Sequence, residues 1–333
     1  MDRRQQIAEP THAAFETLGD KPSRTEALQR LLRELADLKR VRSAAFEGSF
    51  AEHRFASLWR TLSRCSTDAA VRESCSVLAS VETARSIAAT RLSAVAAESL
   101  RELGLGSRQI EHTLRAALAE HADALGPDQR RTLDAAASRI AAGADVGDDP
   151  PLPECIERLA REPRAGATSP GRSRALVVPQ ESHADHCYIT AVTAAILAEC
   201  FAADPGECFL IAIAHHLHNA YLPDGGFAGE MLLGTSLQPV IDAARAKALA
   251  DLPPALAGAC GDAIPTMADC LTPVGAAVNA ADSLDRLLQV EFHAAQASFT
   301  SAKAIVELDI VHEGPLQQFQ NDFARLLGIG QIA

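Results

Sequence analysis

Aromatic residues are scarce in this 333-residue chain, at 4% of the sequence, and runs of alternating β-branched residues are missing from it. Such residues are the main signal of β-strands, so their scarcity argues against a β-rich fold. Alanine and leucine, which favour helices, are abundant instead. The composition therefore predicts an almost entirely helical, all-α protein.

Apolar runs are also short, because charged residues interrupt them before the roughly 18–20 residues that cross a bilayer. Residues 1–6 carry charges with no apolar run behind them, so we expect no signal peptide. A net charge of −12 opposes non-specific binding to nucleic acids. We therefore expect a cytoplasmic protein with no membrane or nucleic-acid partner, for which a small phosphorylated molecule remains a suitable ligand.

The eight cysteines include no CxxC pair, which is the usual spacing of zinc knuckles and redox motifs. Most of them fall on apolar faces of predicted helices. We interpret them as buried thiols in a reducing compartment, with no disulfide framework.

The first half of the chain has the spacing of amphipathic helices. Leucines recur at three- and four-residue steps from Leu28 to Leu38, and similar patterns predict further helices, including a long one from about Thr67 to Leu103. The apolar spacing of this long helix is not a sustained heptad, but a homodimer through the N-terminal helices stays open. Residues 1–165 contain no motif with a chemical meaning, and we predict a helical bundle of unknown role.

Two irregular stretches, at 143–154 and 162–182, separate this bundle from a second predicted domain at 166–333. Arg164, Arg172 and Arg174 lie in the second stretch. A solvated loop is the simpler interpretation of these arginines. The alternative is a substrate-binding role for Arg172 and Arg174, because arginine binds phosphate through paired hydrogen bonds.

Five of the eleven histidines lie within 42 residues, on two predicted helices joined as a hairpin. They are His183, His186, His215, His216 and His218. In an antiparallel hairpin the start of the first helix meets the end of the second, which brings His186 and His215 together. Histidine is a common metal ligand, so the cluster predicts a metal site, with a buried polar network as the alternative.

From residue 182 onwards the sequence resembles the HD superfamily of metal-dependent phosphohydrolases. That family has a first His, a His-Asp doublet about thirty residues later, and a distant Asp on a downstream helix. His186 matches the first His, His215 matches the doublet His 29 residues on, and Asp282 matches the distant Asp. His216 stands where the doublet has Asp, so the pattern is similar to a divergent bacterial branch of the superfamily.

The resemblance implies an HD-like helical domain that holds a divalent transition metal. The implied ligands are His186, His215, His216 and Asp282, with His218 in reserve. At about 100° per residue along a helix, His215 is central and the three neighbouring histidines cannot all face one ion equally, so either His216 or His218 is the fourth ligand. A histidine in place of an aspartate removes one negative charge and favours Mn, Ni, Co, Fe or Zn over magnesium.

The implied activity is hydrolysis of a nucleotide-like or other small phosphorylated substrate, with Asp185 or His183 as the nearest candidate bases. Two alternatives stay open. One is a non-catalytic HD-like module with a regulatory or scaffolding role. The other, less favoured, is a di-iron oxygenase, which would need further ligands such as His183 or His218.

Overall fold

The computed structural model describes residues 22–143, 150–166, 168, 170–171 and 178–297. Its regular secondary structure in these ranges is helical. Within these ranges there is no β-strand, and the only extended pairing is two isolated β-bridges. The predicted all-α fold is therefore confirmed. None of the described helices is long and apolar enough to cross a membrane.

The chain order of the α-helices gives the labels used below. They are α1 (Pro22–Ala36), α2 (Phe50–Leu62), α3 (Asp68–Leu92), α4 (Ala97–Glu102), α5 (Ser107–Ala119), α6 (Pro127–Ala142), α7 (Glu154–Arg161), α8 (His183–Leu197), α9 (Pro205–Ala214), α10 (Gly226–Leu233), α11 (Leu237–Ala250), α12 (Pro254–Ala263) and α13 (Pro273–Ala297). Short 3₁₀ turns lie at Asp37–Lys39 and at Leu217–Ala220.

The prediction of one long helix from Thr67 to Leu103 is wrong. Helix α3 ends at Leu92, and Ser93 takes a φ of 55°, a value that stops the helix. The chain then turns and α4 packs with Ala97 buried, while Arg85 of α3 lies 3.3 Å from Glu98 of α4. The alanine-rich sequence around the break contains no glycine or proline that would signal the end of a helix. The apolar periodicity alone therefore predicted one continuous helix.

Helix α3 is the element around which the others are arranged. It packs against α5 and α6, and also against α8, α9 and α12. The described residues between 22 and 286 form one compact unit, and residues 287–297 are the described part of a second unit. The predicted domain boundary at 165/166 lies inside the first unit, and the division into two domains stays a prediction.

Helices α8 and α9 form the central hairpin. All fifteen residues of α8 are buried, as expected for a helix that is apolar on nearly every face. Residues 206 and 208–214 of α9 are buried as well. All eight cysteines are free, and six of them are buried, including Cys187 in α8. The interpretation of the cysteines as unpaired, mostly buried thiols is confirmed.

Candidate metal centre

The start of α8 and the end of α9 set the positions of the clustered histidines. Ser182 caps α8: its Oγ accepts from the Asp185 backbone N–H at 3.1 Å, and Asp185 Oδ2 accepts from the Ser182 N–H at 3.3 Å. This fixes His186 in the first turn of α8. Helix α9 ends at Ala214, with His215 as its C-cap. The two ends meet as the hairpin predicts, with His186 Nε2 3.2 Å from His215 Nε2.

The four residues implied as metal ligands come together in the fold. One ligand atom from each of His186, His215, His216 and Asp282 lies within 4.8 Å of the other three. Asp282 Oδ1 is 3.2 Å from His186 Nε2 and 4.0 Å from His215 Nε2. Three of these residues are buried and His216 is half-buried. A His/Asp group of this geometry could hold a metal ion.

His216 reaches this group because α9 stops before it. The backbone leaves α-helical geometry at His216 (φ −99°, ψ 14°) and continues as the 3₁₀ turn Leu217–Ala220. The rotation of about 100° per residue therefore does not separate His215 from His216, whose ring centroids lie 4.1 Å apart. His218, the reserve ligand, lies outside the group of four, with its ring centroid 5.7 Å from that of His216.

In each of the three histidines that belong to the group of four, Nδ1 lies beside a hydrogen-bond acceptor. The acceptors are Asp285 Oδ2 at 2.7 Å for His186, Ala212 O at 2.6 Å for His215 and Asn219 Oδ1 at 2.8 Å for His216. A neutral imidazole that donates from Nδ1 has its lone pair on Nε2, the arrangement found in metal-ligating histidines. The side-chain amide of Asn219 is oriented by donation from Nδ2 to Leu222 O at 3.0 Å.

Burial keeps His215 and His216 in the neutral form that binds metal. It lowers the pKa of His215 to about 3 and lowers the pKa of His216 well below its usual value. Burial alone would raise the pKa of Asp282, but His186, His215 and Arg286 outweigh it and hold that pKa below its usual value. Asp282 Oδ1 has no hydrogen-bond partner among the described residues. Imidazole nitrogens and a carboxylate oxygen therefore lie together in an arrangement that could hold a metal ion.

Comparison of the chain with protein-family models, with curated proteins and with solved structures finds no match. The resemblance to the HD superfamily accordingly stays a prediction drawn from the quoted residues.

One arginine of the stretch 162–182, Arg164, lies at the site. Arg164 Nη1 lies 2.8 Å from His216 Nε2. Its backbone N–H donates to Glu181 O at 2.8 Å, beside the β-bridge between Pro163 and Ser182. Arg172 and Arg174, predicted to bind substrate, lie outside the described residues.

Asp185, one candidate base, is engaged in local structure. Its carboxylate closes the capping box and accepts a short hydrogen bond from Ser49 Oγ at the start of α2. Burial raises its pKa to about 7. Asp185 is not part of the four-residue group, and its role as a base stays a prediction.

His183, the other candidate base, lies behind His216. Its Nδ1 is 3.0 Å from Glu162 O, its Nε2 is 3.8 Å from Asp224 Oδ2, and its ring centroid is 4.9 Å from that of His216. Burial lowers its pKa to about 3. His183 is likewise outside the group of four, and its catalytic role also stays a prediction.

Sequence reasoning missed a second set of charged residues beside the centre: Lys39, Glu181 and Asp285. Asp285 follows Asp282 by three residues, a spacing that places both on one helical face and offers a signal that could have been used. Glu181 precedes the cap of α8. Lys39 arrives from the N-terminal half, and nothing in its local sequence indicates the site.

Proposed function

We propose that this protein is a metal-dependent phosphohydrolase of the HD type, acting on a nucleotide-like or other small phosphorylated substrate. The observation that carries the proposal is the convergence of His186 Nε2, His215 Nε2 and Asp282 Oδ1 with a ring nitrogen of His216. A divalent ion held there would polarise a phosphoryl oxygen and make a water molecule more acidic. The residues of the chain would hold that ion, bind the phosphate and exclude bulk water.

The donor set favours a transition metal. Three imidazoles and one carboxylate suit Mn, Fe, Co, Ni or Zn better than magnesium, which prefers oxygen ligands. Cys187 lies next to His186 in sequence, but burial raises the pKa of its thiol and keeps it protonated. A nitrogen- and oxygen-ligated ion is therefore the expected occupant.

Arg164 supports the choice of a phosphorylated substrate. Its Nη1 is 2.8 Å from His216 Nε2, the atom proposed to ligate the ion. With that lone pair taken by the ion, the guanidinium loses this acceptor and is placed to donate to a phosphate oxygen at the same point. Arg286, which has its side chain 58% exposed and its Nη2 2.6 Å from Asp282 Oδ2, adds a second cation at the rim.

The proposal is tested by phosphate release from nucleoside monophosphates, nucleoside triphosphates and p-nitrophenyl phosphate. We expect release with at least one of these substrates, loss of release after chelation, and recovery on addition of Mn²⁺, Co²⁺, Ni²⁺, Fe²⁺ or Zn²⁺. Protein that carries a metal but releases phosphate from no member of this panel would contradict the proposal.

Replacing Arg164 by alanine should weaken turnover without removing the metal. A hydrogen bond from a charged donor is worth about 1.5–3 kcal/mol, which corresponds to a drop of roughly 10- to 150-fold in kcat/KM. Steady-state kinetics and metal analysis of the same samples measure the two effects. Arg131, an exposed arginine in α6, provides the control substitution Arg131→Ala. Unchanged kcat/KM in Arg164→Ala would remove Arg164 from the substrate site.

A non-catalytic role is favoured by one observation, the low exposure of the centre. His186 is fully buried, and His215 and Asp282 are each 6% exposed. A closed site is typical of structural metals, whereas catalytic sites keep an open position. A metal that stabilises the fold in the absence of any turnover would identify the protein as a regulatory or scaffolding module instead.

A further inference from the structure

A second group of potential metal ligands adjoins the four-residue centre and shares His186 with it. Glu181, His186 and Asp285 each offer a ligand atom, and these atoms lie within 4.8 Å of one another. All three residues are buried. His186 faces the first group with Nε2, while its Nδ1 donates to Asp285 Oδ2 at 2.7 Å and lies 3.8 Å from Glu181. The ligands available to an ion in the second group are therefore the two carboxylates.

The ammonium group of Lys39 lies between the two carboxylates of this second group. Lys39 Nζ is 2.9 Å from Glu181 Oε1 and 2.7 Å from Asp285 Oδ2. Lys39 is 4% exposed and ends the 3₁₀ turn that follows α1. A buried ammonium is costly unless it is paired, and here two carboxylates pair with it. The ammonium therefore has the contacts that a bound metal ion would have in this group.

The carboxylates of the group retain unused coordination capacity. Glu181 Oε2 is buried and has no hydrogen-bond partner among the described residues. Glu181 and Asp285 carry two negative charges against the single charge of Lys39. Two carboxylates that face a buried space are the ligands preferred by a hard divalent cation such as Mn²⁺ or Mg²⁺.

We propose that Lys39 fills the second cation position of a potential two-metal centre and so restricts the protein to one metal ion. This inference rests on the proposed metal centre for the ion at the first position. Lys39 is a positioning residue: it neutralises Asp285, which in turn orients His186 through Nδ1. The di-iron alternative is disfavoured on the same ground, since the second position is occupied by the chain itself.

The experiment counts Mn²⁺ ions per chain at saturation by elemental analysis and records electron paramagnetic resonance spectra of the same samples. Wild type and Lys39→Arg, which keeps the cation, should each bind one isolated ion. Lys39→Ala should bind two ions whose spins interact. Lys39→Ala/Glu181→Gln, which removes a ligand of the second group only, should return to one ion.

The outcomes distinguish a failure of the proposed role of Lys39 from a failure of the proposed metal centre. Two ions in wild type, or no additional ion in Lys39→Ala, would overturn the role of Lys39. No ion in wild type would overturn the proposed centre, and one additional ion in Lys39→Ala would still support the role of Lys39.

The alanine variant leaves two buried carboxylates unpaired, which destabilises its metal-free fold. Its thermal unfolding midpoint is therefore measured with increasing Mn²⁺. The inference predicts a larger rise for Lys39→Ala than for Lys39→Arg. Equal rises would overturn it.

Discussion

Replacing His215 by alanine is expected to lower the metal affinity of the protein by more than about 100-fold. Loss of a group that merely orients a ligand costs roughly 10- to 100-fold, and loss of a ligand should cost more. The substitution removes one of three imidazoles while leaving the Asp285 contact of His186 in place. Elemental analysis after equilibrium dialysis measures the effect, and thermal unfolding of the metal-free variant shows whether the fold survives.

His112→Ala is the matched control for this loss. His112 is an exposed histidine in α5, outside the group of four. It should keep the metal content of wild type. Equal metal content in His215→Ala and His112→Ala, with both proteins folded, would show that the ion is held elsewhere.

The largest expected loss of stability follows from removing Arg54. Its guanidinium pairs with the buried Glu82 through Nε at 2.9 Å and Nη2 at 2.6 Å, and Tyr188 of α8 donates to the same carboxylate at 3.0 Å. Breaking one side of a buried ion pair costs about 3–5 kcal/mol. Arg85 Nε lies 3.8 Å from Glu82 and compensates in part, so we expect the lower end, about 3 kcal/mol, in urea unfolding of Arg54→Ala.

A second substitution separates the buried charge from lost packing. Arg54→Ala/Glu82→Gln should recover more than about 1 kcal/mol of the loss, because it removes the unpaired carboxylate. A double variant no more stable than Arg54→Ala would show that packing of the arginine, and not the charge of Glu82, accounts for the effect.

The pH dependence of the same pair has a definite sign. Burial opposes ionisation of Glu82, but Arg54 outweighs it, so the pKa of Glu82 in the folded protein lies below its ordinary 4.5. The stabilisation is therefore complete above that value and is lost as the pH falls below it. In Arg54→Ala, burial acts with less opposition and protonation relieves the unpaired charge. The stability deficit of Arg54→Ala should therefore be largest near neutrality and narrow towards acid pH.

Local apolar periodicity and helix-end signals in the sequence predicted the helical fold and the central hairpin. The prediction of two apolar helices joined as a hairpin was sufficient to bring His186 and His215 together. The break after Leu92 was not predictable in the same way, because it depends on packing around Ala97 and on the Arg85–Glu98 pair, not on a residue that ends helices.

At the site, sequence spacing indicated which residues meet but not how the chain turns between them. His216, and not His218, lies in the group of four because α9 ends at Ala214 and the backbone leaves helical geometry at His216. Which of the two binds an ion stays a prediction. Lys39 shows the other limit. Its contact with Asp285 joins residues 246 positions apart, and only tertiary packing brings them together.

We propose that His186, His215, His216 and Asp282 hold one divalent ion. The most direct test is a Co²⁺ titration of metal-free wild type, followed by X-ray absorption spectroscopy at the cobalt edge. We expect saturation at one equivalent and a ligand shell of nitrogen and oxygen with the scattering pattern of about three imidazoles. No uptake of Co²⁺, or a shell containing sulfur from a cysteine, would contradict it.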